Sequence, residues 1–252
     1  MNRSFLTIFA LIISANVFTQ GVAFWVGHTH QPFKSISFSN YFTDYNNNEA
    51  FVGYLEKPFD AVQNNFNGIS TNMSVFVSDG YDFRGNNGFT FLKSINNTAD
   101  FKNGDKRHVD VYMTDWNLDI GFGFSLSYFF FLNFNVGMNS RFGKALLYFE
   151  YPDNTISFGK EKTVSGVYSG WRLTGLLGGT IGISAIPYVQ FIYRIDYVFK
   201  PYADLIYQTQ LVDRLYFIEN IDIGGAGDSF YNDFYGWRHT FGIQISIGQY
   251  ED

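Results

Sequence analysis

The stretch Trp116-Asn117-Leu118-Asp119-Ile120-Gly121-Phe122-Gly123-Phe124-Ser125-Leu126 decides the fold. One parity is wholly apolar: Trp116, Leu118, Ile120, Phe122, Phe124 and Leu126. The other is small or polar: Asn117, Asp119, Gly121, Gly123 and Ser125. A strand sends alternate side chains to opposite faces, so this segment predicts a strand with one greasy face and one wet face.

Working outward, the pattern recurs. Leu132, Phe134, Val136 and Met138 alternate with Asn133, Asn135, Gly137, Asn139 and Arg141. Leu173, Leu177, Ile181 and Ile183 alternate with Arg172, Thr174, Gly178, Thr180 and Ser184. Val189 to Lys200, Ile69 to Ser78 and Thr240 to Ile247 read the same way, with weaker strands over Gly21 to His30 and Gly88 to Ser94. Strands in soluble sheets average five or six residues. These run to roughly ten to fifteen, the length a tilted membrane strand requires.

The connections alternate in size. Ser127 to Phe130 and Ala185 to Pro187 are tight, whereas 31–67, 95–108, 150–165 and 201–236 are long and rich in Asn, Asp, Gly and Tyr. Short turns on one side and long loops on the other is the outer-membrane arrangement, and an even strand count puts both chain ends on the short-turn side. All five prolines (Pro32, Pro58, Pro152, Pro187, Pro201) fall outside strand interiors, as the missing N–H demands.

Composition agrees. Only 16% of the 252 residues are charged, and 21% are aromatic; a soluble globule carries about a quarter as charges. The net charge of −6 argues against a nucleic-acid partner, which needs a basic face. The absence of Cys removes disulfides, thiolate chemistry, Cys-ligated metals and a lipoprotein-type acylated start. Met1-Asn2-Arg3-Ser4 followed by an apolar run from Phe5 to Ala15 reads as an export signal, too short to span as a helix. The expected cut follows Thr19, or Ala23 at the latest, leaving a barrel over 20–252.

Three strands begin near Trp116, Trp171 and Trp237, and their apolar faces end near Leu126, Ile181 and Ile247. At about 3.3 Å per residue and a ~40° tilt, each covers roughly 25 Å, the height of a bilayer's apolar band. The three Trp are therefore expected at the outer aromatic girdle.

With these features the chain resembles the small outer-membrane barrels of the outer membrane protein A and PorT-like kind. The last strand, Thr240 to Ile247, is similar to the C-terminal signal read by the barrel-assembly machinery, with Gly242, Ile245 and Ile247 at its marked positions. Ile247 departs from the usual aromatic, and five residues follow it. The resemblance implies an all-β, antiparallel, up-and-down transmembrane barrel of about eight strands, without the periplasmic domain some relatives carry. It also implies an outer-membrane location, with outer-membrane lipid and the assembly machinery as partners.

The inward parity is expected to carry Asp115, Asp119, Arg141, Lys144, Arg172, Arg194, Asp196 and Arg238. An eight-stranded lumen is just wide enough to be filled by side chains, so these charges should pair across it. Residues 203–217 have the pattern of an extra hairpin that either rises above the membrane or adds two strands to the wall; ten strands would instead line a small-solute pore. His28, His30 and His239 share a rim and could present imidazoles to Zn²⁺ or Ni²⁺. No carboxylate accompanies them, so no metal is assigned. No His-x-Ser pair and no Gly-x-Ser-x-Gly elbow is present; neither catalytic residues nor a cofactor are assigned. Residues 49–62 have the spacing of a short helix capping the mouth. The expected function is a non-enzymatic structural or surface-interaction barrel, its loops meeting an extracellular or secretion partner. The alternatives are a small-solute pore, an accessory secretion barrel or, last, a lipid-modifying enzyme.

Overall fold

The structure, a computed structural model, describes residues 21–32, 36–47, 52–60, 65–79, 81–126, 129–157, 166–186, 188–199, 208–210 and 235–248. Its elements are β1 (Gly21–Pro32), α1 (Ile36–Asn47), β2 (Leu55–Lys57), β3 (Asn65–Asp79), β4 (Tyr81–Phe101), β5 (Lys106–Leu126), β6 (Phe130–Glu150), β7 (Ile156–Ser157), β8 (Gly166–Ile186), β9 (Val189–Val198), β10 (Gln208–Gln210) and β11 (Gly236–Gly248). The signal segment read over 1–19 lies outside the described residues.

Among the described residues eight strands close into a ring, β1-β3-β4-β5-β6-β8-β9-β11, every neighbour antiparallel. Closure removes the sheet edges that an apolar medium could not satisfy. The seam joins Gly21 to Gly248 and His30 to His239, so both ends of the wall meet at one rim. That rim also holds the short connections between β3 and β4, β5 and β6, and β8 and β9.

Burial is inverted relative to a soluble protein. Phe191 is 64% exposed and Ile247 66%, whereas Arg141 and Arg238 are each 2% exposed. The outward parity of β5 alone leaves Trp116, Leu118, Ile120, Phe122, Phe124 and Leu126 uncovered. A contiguous apolar belt of this extent is far beyond what water tolerates, and it fits a lipid sleeve.

The wall is uneven. β4, β5, β6 and β8 have 21 residues each, against 10 in β9 and 12 in β1. Roughly ten residues cross the apolar band, so the long strands continue well beyond it. Above that level the inward parity becomes mostly apolar, with Leu92, Val109, Val111, Met113, Ala145 and Leu147 buried alongside Arg107 and Asn97. The helix α1 lies over this inner face with Phe42 and Tyr45 buried, three residues apart and therefore on one side of it.

The structure bears on three of the long segments. The segment 95–108 is not a long loop: β4 and β5 pair up to Asp100 and Lys106, and a tight turn at 102–105 joins them, with Gly104 at φ 89. A bulge between Lys93 and Asn96 hid this extension. It moves the inward parity from Leu92 to Asn97, Ala99 and Phe101, breaking the period of two. A helix lies at Ile36–Asn47; of the segment 49–62 the described part is 52–60, which is helical at Val52, turns at Gly53 and Tyr54, forms β2 and buries Phe59. Of 203–217, the described part is β10, which pairs with Tyr168 to Gly170. Those residues lie beyond the β8 positions that β9 covers, so β10 extends β8 above the ring and adds nothing to the wall.

Candidate functional site

The lumen is built in tiers because inward residues of neighbouring strands meet in register. In the middle tier Asp115 of β5 faces Arg141 of β6, and Arg238 of β11 faces Asp196 of β9. Arg141 donates to Asp115 through Nε at 2.8 Å and Nη2 at 2.6 Å. Arg238 bridges Asp115 at 3.1 Å and Asp196 at 3.0 Å. Arg194 continues the chain, donating to Asp196 at 2.8 Å and to Asp119 at 2.7 Å. Three carboxylates and three guanidiniums thus alternate across the barrel, all buried, with no net charge. Asn86, Asn117, Asn139 and Gln31 satisfy further lone pairs and N–H groups. Pairing plus added hydrogen bonds is what lets charge sit away from water.

Beside this tier runs a hydroxyl relay along the wall: Thr240 to Thr29 at 2.9 Å, Thr29 to Ser70, and Ser70 to Thr90 at 2.7 Å. Nearer the short-turn rim, Arg84 grips Asp82 at 2.6 and 2.8 Å. Its guanidinium stands 3.6 Å from the Phe131 ring centroid and 5.0 Å from that of Phe76. Gln244 and Gln190 pair alongside it. The void left between Trp25, Asn72, Asn117, Arg194 and Arg238 is about the size of one water molecule.

Of the eight charges expected inside, six meet in the network just described. Lys144 does not: it is exposed on the outward face, because Arg141 faces inward and a residue three positions on takes the opposite parity. Arg172 is register partner to Arg141, and its side chain lies outside those described. The pair Asp82–Arg84 was missed. Its signal was present, since Tyr81, Phe83 and Phe89 alternate with Asp82, Arg84, Asn86 and Gly88, but the polar outward Asn87 and Gly85 interrupt the apolar face.

Of the three tryptophans expected at a girdle, Trp116 and Trp237 point outward and are 45% and 52% exposed. The Trp116 indole donates to Asn87 at 2.7 Å, and Trp237 packs edge-on against Tyr197. Trp171 aligns with Phe142, its side chain outside the described set. The fourth tryptophan, Trp25, is buried in the lumen. Ile245 and Ile247 are exposed on the outer face of β11, while Gly242 faces Gly27 across the seam. A Cβ on Gly242 would come within 2.5 Å of the Val26 carbonyl oxygen, so this close approach admits only glycine.

His30 and His239 sit opposite one another, but their Nδ1 atoms are engaged by Asn67 at 2.9 Å and the Tyr193 hydroxyl at 2.8 Å. Among the described residues no three His, Cys, Asp or Glu side chains gather to hold a metal. Outside the barrel, Thr98, His108 and Glu150 form a hydroxyl–imidazole–carboxylate line at 3.0 and 2.8 Å. Glu150 is shared with Lys106 at 3.7 Å, and Thr98 lies in a register-paired strand. Extended backbone of that kind does not gather amide donors at one point, as an oxyanion hole requires.

No family model matches the chain, and no curated protein matches it. Among solved structures it is similar to Ail, the attachment invasion locus protein of Yersinia pestis. The likeness has a TM-score of 0.43 and 9% identity, covering 91% of this chain and 99% of that one. The same protein in complex with the heparin analogue sucrose octasulfate gives a TM-score of 0.42 and 10% identity, over 90% and 99%. So distant a likeness says nothing of function.

The tier above the apolar belt completes the geometry. Phe59 is held by Asn46, whose side-chain amide donates to the Phe59 carbonyl at 3.0 Å and accepts from its N–H at 2.9 Å. The Phe59 ring then packs against Phe42 and Tyr45 with centroids 4.9 and 5.1 Å apart. On the outer side of the same extension, Tyr148 donates to Asp110 at 3.3 Å. Partial burial and the Asp110 carboxylate push the Tyr148 phenol up to about 12.

Proposed function

We propose that this chain is a closed outer-membrane barrel that performs no chemistry and serves as a rigid scaffold. It presents the tall β4–β5–β6 face and its helical cap to partners outside the cell. One observation carries the reading: the neutral, mutually paired Arg141–Asp115–Arg238–Asp196–Arg194–Asp119 chain spans the lumen, and the void beside it, between Trp25, Asn72 and Asn117, has room for about one water. A conducting pore needs a wet path, and buried ion pairs that tie β5 and β6 to β9 and β11 across the lumen argue against one. Binding function concentrates in segments displayed by a rigid scaffold, and here they are strand extensions as much as loops. Partners on this reading are outer-membrane lipid, the assembly machinery through Gly242, Ile245 and Ile247, and an extracellular or secretion partner.

The test is single-channel conductance of the refolded mature protein in planar bilayers, with heat-modifiable gel mobility as proof of folding. A folded, heat-modifiable protein that stays silent is expected. Steady, reproducible openings would overturn the closed scaffold in favour of a solute pore.

A further inference from the structure

Just beyond the apolar belt, the outward face of the long strands carries an unusual row. Lys93 of β4, Tyr112 of β5 and Lys144 of β6 are consecutive register partners. All three lie on the outer surface, the two lysines exposed and the tyrosine half-buried between them. Two residues below them on the same strands are Phe91, Thr114 and Phe142, and then Phe89 and Trp116. The row therefore begins about 5 Å above the upper edge of the belt, given ~3.3 Å per residue and a ~40° tilt.

The chemistry of the row is one-sided. The Lys93 ammonium stands 5.4 Å from the Tyr112 ring centroid. Among the described residues neither Lys93 nor Lys144 has a carboxylate partner, and the Tyr112 hydroxyl has no hydrogen-bond partner. This contrasts with the lumen tiers, where Arg84, Arg141, Arg194 and Arg238 each meet a carboxylate. The carboxylates of the same face lie further out and are turned elsewhere: Asp110 to Tyr148, and Glu150 to His108 and Lys106. Two cations with their Cα atoms about 10 Å apart across two strand spacings, and a phenol donor between them, make a clamp for anionic oxygens. Lysine stems lie along apolar surface while the ammonium reaches the polar zone, which sets this clamp at headgroup height.

We infer that Lys93, Tyr112 and Lys144 form a binding site for the phosphate groups of an outer-leaflet phosphorylated glycolipid. The inference deepens the outer-membrane reading and rests on it. The belt beneath the row fixes the acyl chains of any occupant against Phe91, Trp116 and Phe142. That is why the site takes a lipid-borne phosphate and not the free ion.

The experiment uses the full mature chain refolded into phosphatidylcholine vesicles. These contain a trace of a labelled diphosphoryl glycolipid or of the same glycolipid after enzymatic dephosphorylation. Wild-type protein, extracted with its bound lipid, should retain the diphosphoryl form at least tenfold over the dephosphorylated one, since each surface cation contributes of order a few-fold or more. The Lys93→Gln/Lys144→Gln variant should lose that preference, while keeping heat-modifiable mobility, because both side chains are exposed. Inorganic phosphate at millimolar concentration should leave retention unchanged. Equal retention of the two lipids, equal behaviour of the variant, or displacement by inorganic phosphate would overturn the site. Failure to insert into any vesicle would overturn the outer-membrane reading along with it, whereas insertion without discrimination overturns this site alone.

Discussion

Asp115 and Arg141 meet face to face across β5 and β6, two parallel N–H···O contacts at 2.8 and 2.6 Å, and the same Asp115 oxygen also accepts from Arg238 at 3.1 Å. One carboxylate thus answers two buried cations from opposite parts of the ring. Asp115→Asn leaves both guanidiniums short of a counter-charge. Breaking such a pair from one side costs roughly 3–5 kcal/mol. Urea unfolding in lipid vesicles should show a loss of that order. Asp115→Asn combined with Arg141→Gln should cost less than the sum of the two single changes. A single-variant loss under about 1 kcal/mol would mean that the lumen network is not what holds the middle tier.

Phe131 sits over Arg84 and directly beneath Gly182 of the neighbouring strand. A Cβ on Gly182 would lie 1.9 Å from the Phe131 ring. Gly182→Ala must therefore drive the ring off the guanidinium, and overpacking of this kind costs about 1–3 kcal/mol. Gly182→Ala combined with Phe131→Leu should recover part of the loss. The check is the urea midpoint of the three proteins side by side.

Lipids brominated on the acyl chain near the headgroup should distinguish the tryptophans. Trp116 and Trp237 face the lipid, whereas Trp25 is 9% exposed inside the lumen. Trp25→Phe should keep nearly all the contact quenching of the wild type; Trp116→Phe and Trp237→Phe should each lose a substantial share. Strong loss in Trp25→Phe would place that indole on the wrong side of the wall.

The cap is expected to open locally. Phe59→Ala removes the ring between Phe42 and Tyr45, and such a truncation costs about 3–5 kcal/mol. Because that cluster lies above the membrane belt, the loss should appear as faster hydrogen exchange and chymotryptic cleavage within α1. Heat-modifiable mobility of the barrel should be unchanged. Loss of mobility would tie the cap to the stability of the whole wall.

Alkaline titration reports on Tyr148. Its folded pKa lies above the ordinary 10.0, near about 12, so the phenol keeps its proton and its bond to Asp110 across that interval. The folded state then binds the proton more tightly than the unfolded state does. This contribution to stability is complete below pH 10 and disappears as pH rises through 12. The phenolate absorbance of wild type minus Tyr148→Phe should rise with a midpoint near pH 12. A midpoint near 10 would show that Asp110 and Tyr148 do not communicate.

Strand existence, direction and inward parity were legible in Trp116 to Leu126 and its repeats, because a wall between lipid and a polar lumen writes a period of two into every crossing. Six of the charges that meet inside could be named from that period alone. Strand length was less legible. Above the belt both faces meet different surroundings, and the inward side of β4–β6 becomes mostly apolar under α1, so the alternation that marks a membrane crossing no longer holds. The bulge at Lys93/Asn96 reversed parity as well. Lys144 was misplaced for a simpler reason: its charge suggested the lumen, although its parity with Phe142 and Met138 placed it outside. The partners of Phe59 and Asn46 depend on how residues 13 apart fold back on one another, and no local pattern encodes that.

The unequal strand lengths give the molecule a compass bearing. One side of the rim rises as a stiff palisade of 21-residue strands, while β1 and β9 end low with 12 and 10. Ten surplus residues stand roughly 25 Å tall at ~3.3 Å each and a ~40° tilt. A visitor arriving along the membrane plane would therefore meet strand surface beyond the belt on the β4–β6 side that β1 and β9 do not offer. The barrel's spin about its own axis thereby becomes a variable that crowding on the cell surface can control.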